Sequence, residues 1–238
     1  MMTFKIMLDA GHGINTSGKR SPDGMREFEF NVKVAEYMKQ ELEQYEGVKV
    51  YMAHDHPTGN RDVPLQERTD KANRLNVDVY FSIHANAYKG VMGNHGGIEI
   101  FVYTTKPKEA TNLAQVVQSN LVKATKLRNR GVKTANFHVL RETKMTAVLV
   151  EHGFMDSTTD LPKLKSDSFR RLCAKTNVES LVQFFKLKKK PKPQPKPSTG
   201  KTMYRVVTGS FADKTNAEKR MAELKKAGFD SFIIAEKI

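Results

Sequence analysis

The sequence predicts an α/β fold: a mixed twisted sheet flanked by helices on both faces, followed by a small βαβ unit. Three observations point there. Short apolar runs of strand length alternate with longer stretches whose apolar residues recur every three to four positions. The chain has 238 residues and is 39% hydrophobic, enough for a sizeable core. The alternation is broken once, by a segment rich in lysine and proline near the C-terminus. Alternating strands and helices build a helix-covered sheet, and functional residues then gather at the carboxyl ends of the strands.

The elements follow in order. "FKIMLDA" (4–10) reads as a strand that runs into a glycine-rich loop, "GHG". "EFEFNVKVAEYMKQELEQY" (27–45) repeats its apolar residues at helical spacing through Val34, Met38 and Leu42. "VKVYMAH" (48–54) is a strand, "LQERTDKANRL" (65–75) a helix and "VDVYFSIHA" (77–85) a strand. "GIEIFVY" (97–103) is another strand and "EATNLAQVVQSNLVKAT" (109–125) another helix. "AVLVEHGF" (147–154) reads as a buried strand and "SDSFRRLCAKTNVESLVQFFK" (166–186) as the last helix of the region. The sole cysteine, Cys173, sits in that helical pattern as a small core residue. One cysteine excludes an internal disulfide, which fits a reducing compartment.

Residues 186–201, "KLKKKPKPQPKPSTGK", hold seven lysines and no acid, half of the net charge of +14. Alternating Lys and Pro favours extended polyproline backbone, so this segment is expected to be an exposed linker. It separates a domain at 1–185 from a unit at 202–238. In that unit a strand near Tyr204–Thr208, a helix from Asp213 to Gly228 and a strand "SFIIAE" are expected. The net charge calls for a polyanionic partner. No basic helix or aromatic stacking platform accompanies it, which argues against specific nucleic-acid binding. No run approaches the length of a transmembrane helix. The N-terminus "MMTFKIMLDAGHG" lacks a signal peptide's basic start and cleavage site, so synthesis without an encoded secretion route is expected.

Several strand ends carry side chains that suit a metal. The first strand presents His12, "VYFSIHAN" presents His84, and "AVLVEHGF" presents Glu151 and His152. Glu27 opens the first helix. Catalytic zinc sites use three nitrogen or oxygen ligands and keep a position open for water, and a further carboxylate then serves as general base. Any one of these residues alone is an ordinary core or surface group. Their joint placement at strand ends favours a metal hydrolase. A carboxylate at the end of a buried strand is costly unless it is paired, hydrated or working. The other histidines are weaker candidates. His54 and His56 fall in a Pro/Gly-rich loop, and His95 and His138 are not expected to be ligands. Asn86 and Arg141 are polar groups open to either a substrate or a structural role.

The motifs "DAGHG", "REFEFN", "FSIHAN" and "RGVKTANFHVLRETKMTAVLVEHGF" resemble those of the zinc-dependent N-acetylmuramoyl-L-alanine amidases of bacterial autolysins and phage endolysins. The resemblance runs from about Phe4 to Phe185 and implies a phosphorylase/hydrolase-like fold. It implies one Zn2+ held by His12, Glu27 and His84, with Glu151 as the catalytic glutamate. Glu29, two places on, is the rival ligand. The sequence departs from the family at Ile14 and Thr146, neither a ligand position. His152 points to the other side of the strand if strand geometry persists. The implied activity is hydrolysis of the amide between N-acetylmuramic acid and L-alanine of the stem peptide. An endolysin or a lytic autolysin is expected, reaching the wall through a holin or mother-cell lysis. Another zinc-dependent wall peptidase, or a wall-binding protein without chemistry, are the alternatives.

The tail "YRVVTGSFADKTNAEKRMAELKKAGFDSFII" resembles about half of a SPOR domain, which implies binding to peptidoglycan glycan. The usual domain has two such βαβ halves, so the unit is expected to pack on the main domain, to dimerise, or to belong to a longer module. For the lysines of the linker two readings stand: added affinity for anionic wall polymers, which salt should weaken, or a solubilising tether.

Overall fold

In a computed structural model of the chain, residues 3–53, 61–191 and 207–235 are described. Its contacts divide it into two units, Met1–Lys190 and Pro191–Ile238. The first unit is built from β1 (Phe4–Ala10), α1 (Glu27–Leu42), β2 (Val48–Met52), α2 (Leu65–Leu75), β3 (Val79–Asn86), β4 (Ile98–Val102), α3 (Lys108–Thr125), β5 (Asn129–Thr134), α4 (His138–Arg141), β6 (Thr146–Phe154), α5 (Leu161–Lys165) and α6 (Asp167–Phe185).

The six strands form one sheet in the order β2-β1-β3-β6-β4-β5. β2, β1, β3 and β6 run parallel, and β4 turns antiparallel to β6 with β5 parallel to it. The sheet is therefore mixed, as expected. The carboxyl ends of β1, β3 and β6 meet at one edge, and the amino ends of β4 and β5 join them there.

Alternation along the central strands sorts side chains to two faces. Ile6, Leu8, Phe81, Ile83, Val148 and Val150 point to one face and are fully buried. There they pack against Phe28, Val34 and Met38 of α1, Leu113 and Val117 of α3, and Cys173 and Val178 of α6. Met7, Tyr80 and Leu149 point the other way and meet Ala72 of α2 and Val139 and Leu140 of α4 in a smaller core. Cys173 is a core residue, as its position in the pattern predicts.

Three elements had no counterpart in the sequence reading. β5 contains one apolar residue, Val132, so it shows no alternation. α4 and α5 have four and five residues, too few to display a helical period. Past α6 the chain stays with the first unit through Lys190. Lys188 accepts from the Glu46 amide, Lys189 bridges Tyr45, and the Lys190 amide donates to Gln44.

In the second unit, α7 (Lys214–Lys226) forms where a helix was expected, capped by the Asp213 carboxylate on the Thr215 amide. The strands of the expected βαβ unit are not seen among the described residues: 207–208 and 231–235 lie outside any strand. A strand needs a hydrogen-bonding neighbour, and none of the described residues supplies one. Residues 204–206 of the expected first strand, and most of the Lys/Pro segment, lie outside the described residues. No described helix is long and apolar enough to cross a membrane.

Candidate metal centre

The site is built where β1, β3 and β6 end. β1 delivers the turn Gly11-His12-Gly13, in which His12 adopts φ +66°, an uncommon conformation for a residue with a Cβ. Two buried side chains hold this turn. Asn31 of α1 donates from Nδ2 to the Gly11 carbonyl (3.0 Å), and Arg68 of α2 donates from Nη2 to the His12 carbonyl (2.9 Å). Arg68 uses its other N–H groups on Val63 O, Asp9 Oδ1, Ala10 O and Asp62 Oδ1. Arg68 and Asp9 are each 1% exposed. Burial would raise the Asp9 carboxyl, but the Arg68 and His84 charges and the Ser82 hydroxyl outweigh it and hold it below its usual range.

His12, Glu27 and His84 converge, each offering one donor atom within 4.8 Å of the others. Glu27, the first residue of α1 and 3% exposed, lies between the two imidazoles. Its Oε2 is 3.1 Å from His12 Nε2 and its Oε1 is 2.8 Å from His84 Nδ1. The rings are 5.0 Å apart and nearly perpendicular. Glu29, the rival, is exposed and outside the cluster. Burial would raise the Glu27 carboxyl, but its hydrogen bonds and charge contacts with the two histidines outweigh that and lower it. His84 is shifted up: burial opposes its charge, and the Glu27 hydrogen bond together with the Glu27, Glu151 and Asp9 charges overcomes it.

Two imidazole nitrogens and one carboxylate, in a half-buried pocket with room for water, fit a tetrahedral divalent ion that keeps an open position. Close approach is built in at Gly11, where a Cβ would lie 2.1 Å from Cε1 of the His84 ring.

Glu151 stands next to the cluster. It is the register partner of His84 across β3 and β6, on the same face of the sheet. Its Oε2 is buried with no hydrogen-bond partner among the described residues. Burial, with the neighbouring Glu27 and Glu99 charges, pushes its carboxyl up to about 8 against the opposing pull of His84. The four residues line one cavity of about 520 Å³, whose walls include Lys19, Asn86, Phe137, His138 and Leu149.

His152, the next residue, points to the other face and is fully buried. Its Nδ1 lies 3.1 Å from the His84 carbonyl and its Nε2 lies 2.9 Å from Asn177 Nδ2. A carbonyl accepts and an amide nitrogen donates, so the proton sits on Nδ1 and the ring is neutral. Burial depresses it to about 4.

Asn86 donates to Glu99 Oε1 at 2.7 Å and lines the cavity. Arg141 is bound to Asn136 and Glu142 at the surface. His95 meets Asp156, a fully buried carboxylate that also accepts the amides of Tyr88, Lys89 and Gly90. His138 lies on the cavity wall with Nε2 3.2 Å from Thr69 Oγ1, and is not in the metal-compatible group. His54 and His56 lie outside the described residues.

Sequence reasoning missed Arg68, Asn31 and Glu99. A signal existed for two of them. Arg68 falls in line with Leu65, Ala72 and Leu75 on α2, and Asn31 with Val34, Ala35 and Met38 on α1. A polar residue on an apolar helix face is a structural or functional anchor. Glu99 gave no such signal.

Two histidines and two glutamates, three of them on or just past β1, β3 and β6 and one at the start of α1, thus line one cavity of an α/β sheet, and His12, Glu27 and His84 form a set that could hold a metal ion. A family model described as N-acetylmuramoyl-L-alanine amidase matches residues 6–183, and one described as SPOR domain matches residues 169–235. The chain belongs to the N-acetylmuramoyl-L-alanine amidase family. It is 34% identical over 231 residues to "N-acetylmuramoyl-L-alanine amidase CwlM" of Bacillus licheniformis, covering 97% of this chain and 84% of that one. It is 33% identical over 218 residues to the "Endolysin" of Bacillus phage SPP1, covering 87% and 77%. A crystal structure of N-acetylmuramoyl-L-alanine amidase from Clostridium difficile 630 superposes with a TM-score of 0.72 at 30% identity, covering 78% of this chain and 98% of that one. The SPOR match begins inside α6, whose Phe169, Cys173, Val178 and Leu181 are already part of the first unit's core.

Proposed function

We propose that this chain is a zinc-dependent N-acetylmuramoyl-L-alanine amidase that hydrolyses peptidoglycan between the lactyl carbonyl of N-acetylmuramic acid and the nitrogen of L-alanine. His12, Glu27 and His84 would hold the ion, and Glu151 is the proton carrier. When bound, zinc supplies Lewis-acid polarisation of the carbonyl and lowers the pKa of a water.

Glu151 accepts a proton from the attacking water as its oxygen bonds to the carbonyl carbon, then delivers that proton to the departing nitrogen as the C–N bond breaks. The products are a carboxylate on the sugar and a free amine on the peptide. A carboxyl raised by burial suits both halves of this transfer, because it takes and returns a proton near neutral pH. Arg68 and Asn31 keep the His12 turn in place. Phe137, Val139 and Leu149 give the cavity an apolar wall.

The observation that carries this reading is a buried Glu151 carboxylate oxygen, without a hydrogen-bond partner among the described residues, beside a His-Glu-His cluster in a chain of this family. The SPOR match and the lysine-rich segment at 186–201 support delivery to the wall, through glycan and through anionic wall polymers. The relative named "Endolysin" supports a lytic setting.

The test is mass analysis of digested peptidoglycan, with and without a chelator. Stem peptides with a free L-alanine amine should appear, vanish with chelator and return with zinc. Cuts inside the stem peptide would move the reading to a wall peptidase.

A further inference from the structure

The charged row at the edge of the sheet does not end at Glu151. Register pairs place His84 opposite Glu151 and Glu151 opposite Glu99, so the three stand in line across β3, β6 and β4. β5 extends the line with two cations. Arg130 Nε donates to Glu99 Oε2 at 2.7 Å, and Lys133 Nζ donates to the same oxygen. Asn86 occupies the other oxygen.

Glu99 is only 4% exposed, and its single negative charge faces two positive ones. A surplus positive charge is left. Both cations reach solvent, with side chains 25% and 40% exposed. The Arg130 guanidinium lies 4.7 Å from the centroid of the Phe154 ring, which with Glu99 fixes its plane. A guanidinium held this way is pre-organised for a carboxylate.

The mechanism gives the direction of the substrate. Glu151 must reach the departing nitrogen, so the peptide leaves on the Glu151 side of the metal. Strands lie about 4.8 Å apart, which puts β5 roughly 10 Å beyond β6. An extended peptide covers about 3.4 Å per residue, and the two basic side chains reach back toward Glu99. Their heads are therefore within range of a group on the residue that follows alanine.

Resting on the amidase reading, we propose that Arg130 and Lys133 form a subsite for a free carboxylate on the stem-peptide residue after the scissile alanine, and select it over the corresponding carboxamide.

The test uses two synthetic muramoyl peptides that differ only in this group, carboxylate or carboxamide. Wild type should favour the carboxylate by about ten-fold in kcat/KM, the size of one charge-assisted contact, with the difference mainly in KM. Arg130→Gln and Lys133→Gln should bring that ratio toward one. Each variant leaves Glu99 one cation and Asn86, so the buried carboxylate is not orphaned. A ratio near one in wild type overturns the proposal. So does a variant that slows both substrates equally, since the cations would then serve only to neutralise Glu99.

Calorimetry with the two free product peptides gives a readout independent of turnover. If neither muramoyl peptide is cut, the amidase reading fails. Preferential binding of the carboxylate peptide would then still support the subsite, and equal binding would overturn it.

Discussion

Glu151 and His84 face each other across the parallel β3–β6 register, at the carboxyl ends of two central strands. His84 is hydrogen-bonded to Glu27, whereas Glu151 Oε2 has no partner among the described residues. Two adjacent ionisable residues thus have different surroundings. The first suits metal ligation and the second suits proton transfer.

Gly11→Ala tests the packing of this site. The added Cβ would lie 2.1 Å from the His84 ring, so the ring must leave its place. Zinc affinity should fall by about 10–100-fold, the range seen when ligand orientation is disturbed. Competition with a chromophoric chelator measures it, and unaltered affinity would show that His84 is not a ligand in this geometry.

Arg68→Met tests the support of the His12 turn. It leaves Asp9 charged and buried without its cation, a change that costs about 3–5 kcal/mol. Urea unfolding should show that loss. Arg68→Lys keeps the charge but lacks the five-armed geometry, so it should be less destabilised than Arg68→Met while still losing zinc affinity through the released His12 carbonyl.

His152 predicts a pH dependence of stability. Its folded value is near 4, below the 6.5 of an unperturbed histidine. Between these values the unfolded chain binds the proton and the folded chain does not. The contribution is fully present above about pH 6.5 and is lost as pH falls toward 4, for a total of about 3 kcal/mol. Unfolding free energies of metal-free wild type and His152→Asn should therefore converge on acidification. Parallel curves from pH 7 to 4 would contradict the assignment.

Much of this was legible in the sequence, and the physical reasons differ by element. The central strands are buried on both faces, so β1, β3 and β6 announce themselves as apolar runs, and the helices over them by their period. The edge strand β5 packs one apolar residue and gave no such signal. The four candidate residues stood out because each lies near an end of an element that could itself be read. Their support was harder to see. Arg68 reaches the His12 carbonyl from 56 residues away, and Glu99 meets Glu151 only through the antiparallel turn of β4. Contacts of that kind depend on the sheet order, which periodicity does not encode.

The measurement that bears most directly on the central claim is metal content and turnover of Glu151→Gln beside wild type. Both proteins should hold one zinc per chain, with turnover on peptidoglycan reduced by at least about 10²–10⁴-fold in the variant. His12→Ala and His84→Ala should lose zinc in the same assay. Lytic activity retained by Glu151→Gln, or zinc lost from it, would contradict the division of labour between Glu151 and the His12–Glu27–His84 cluster.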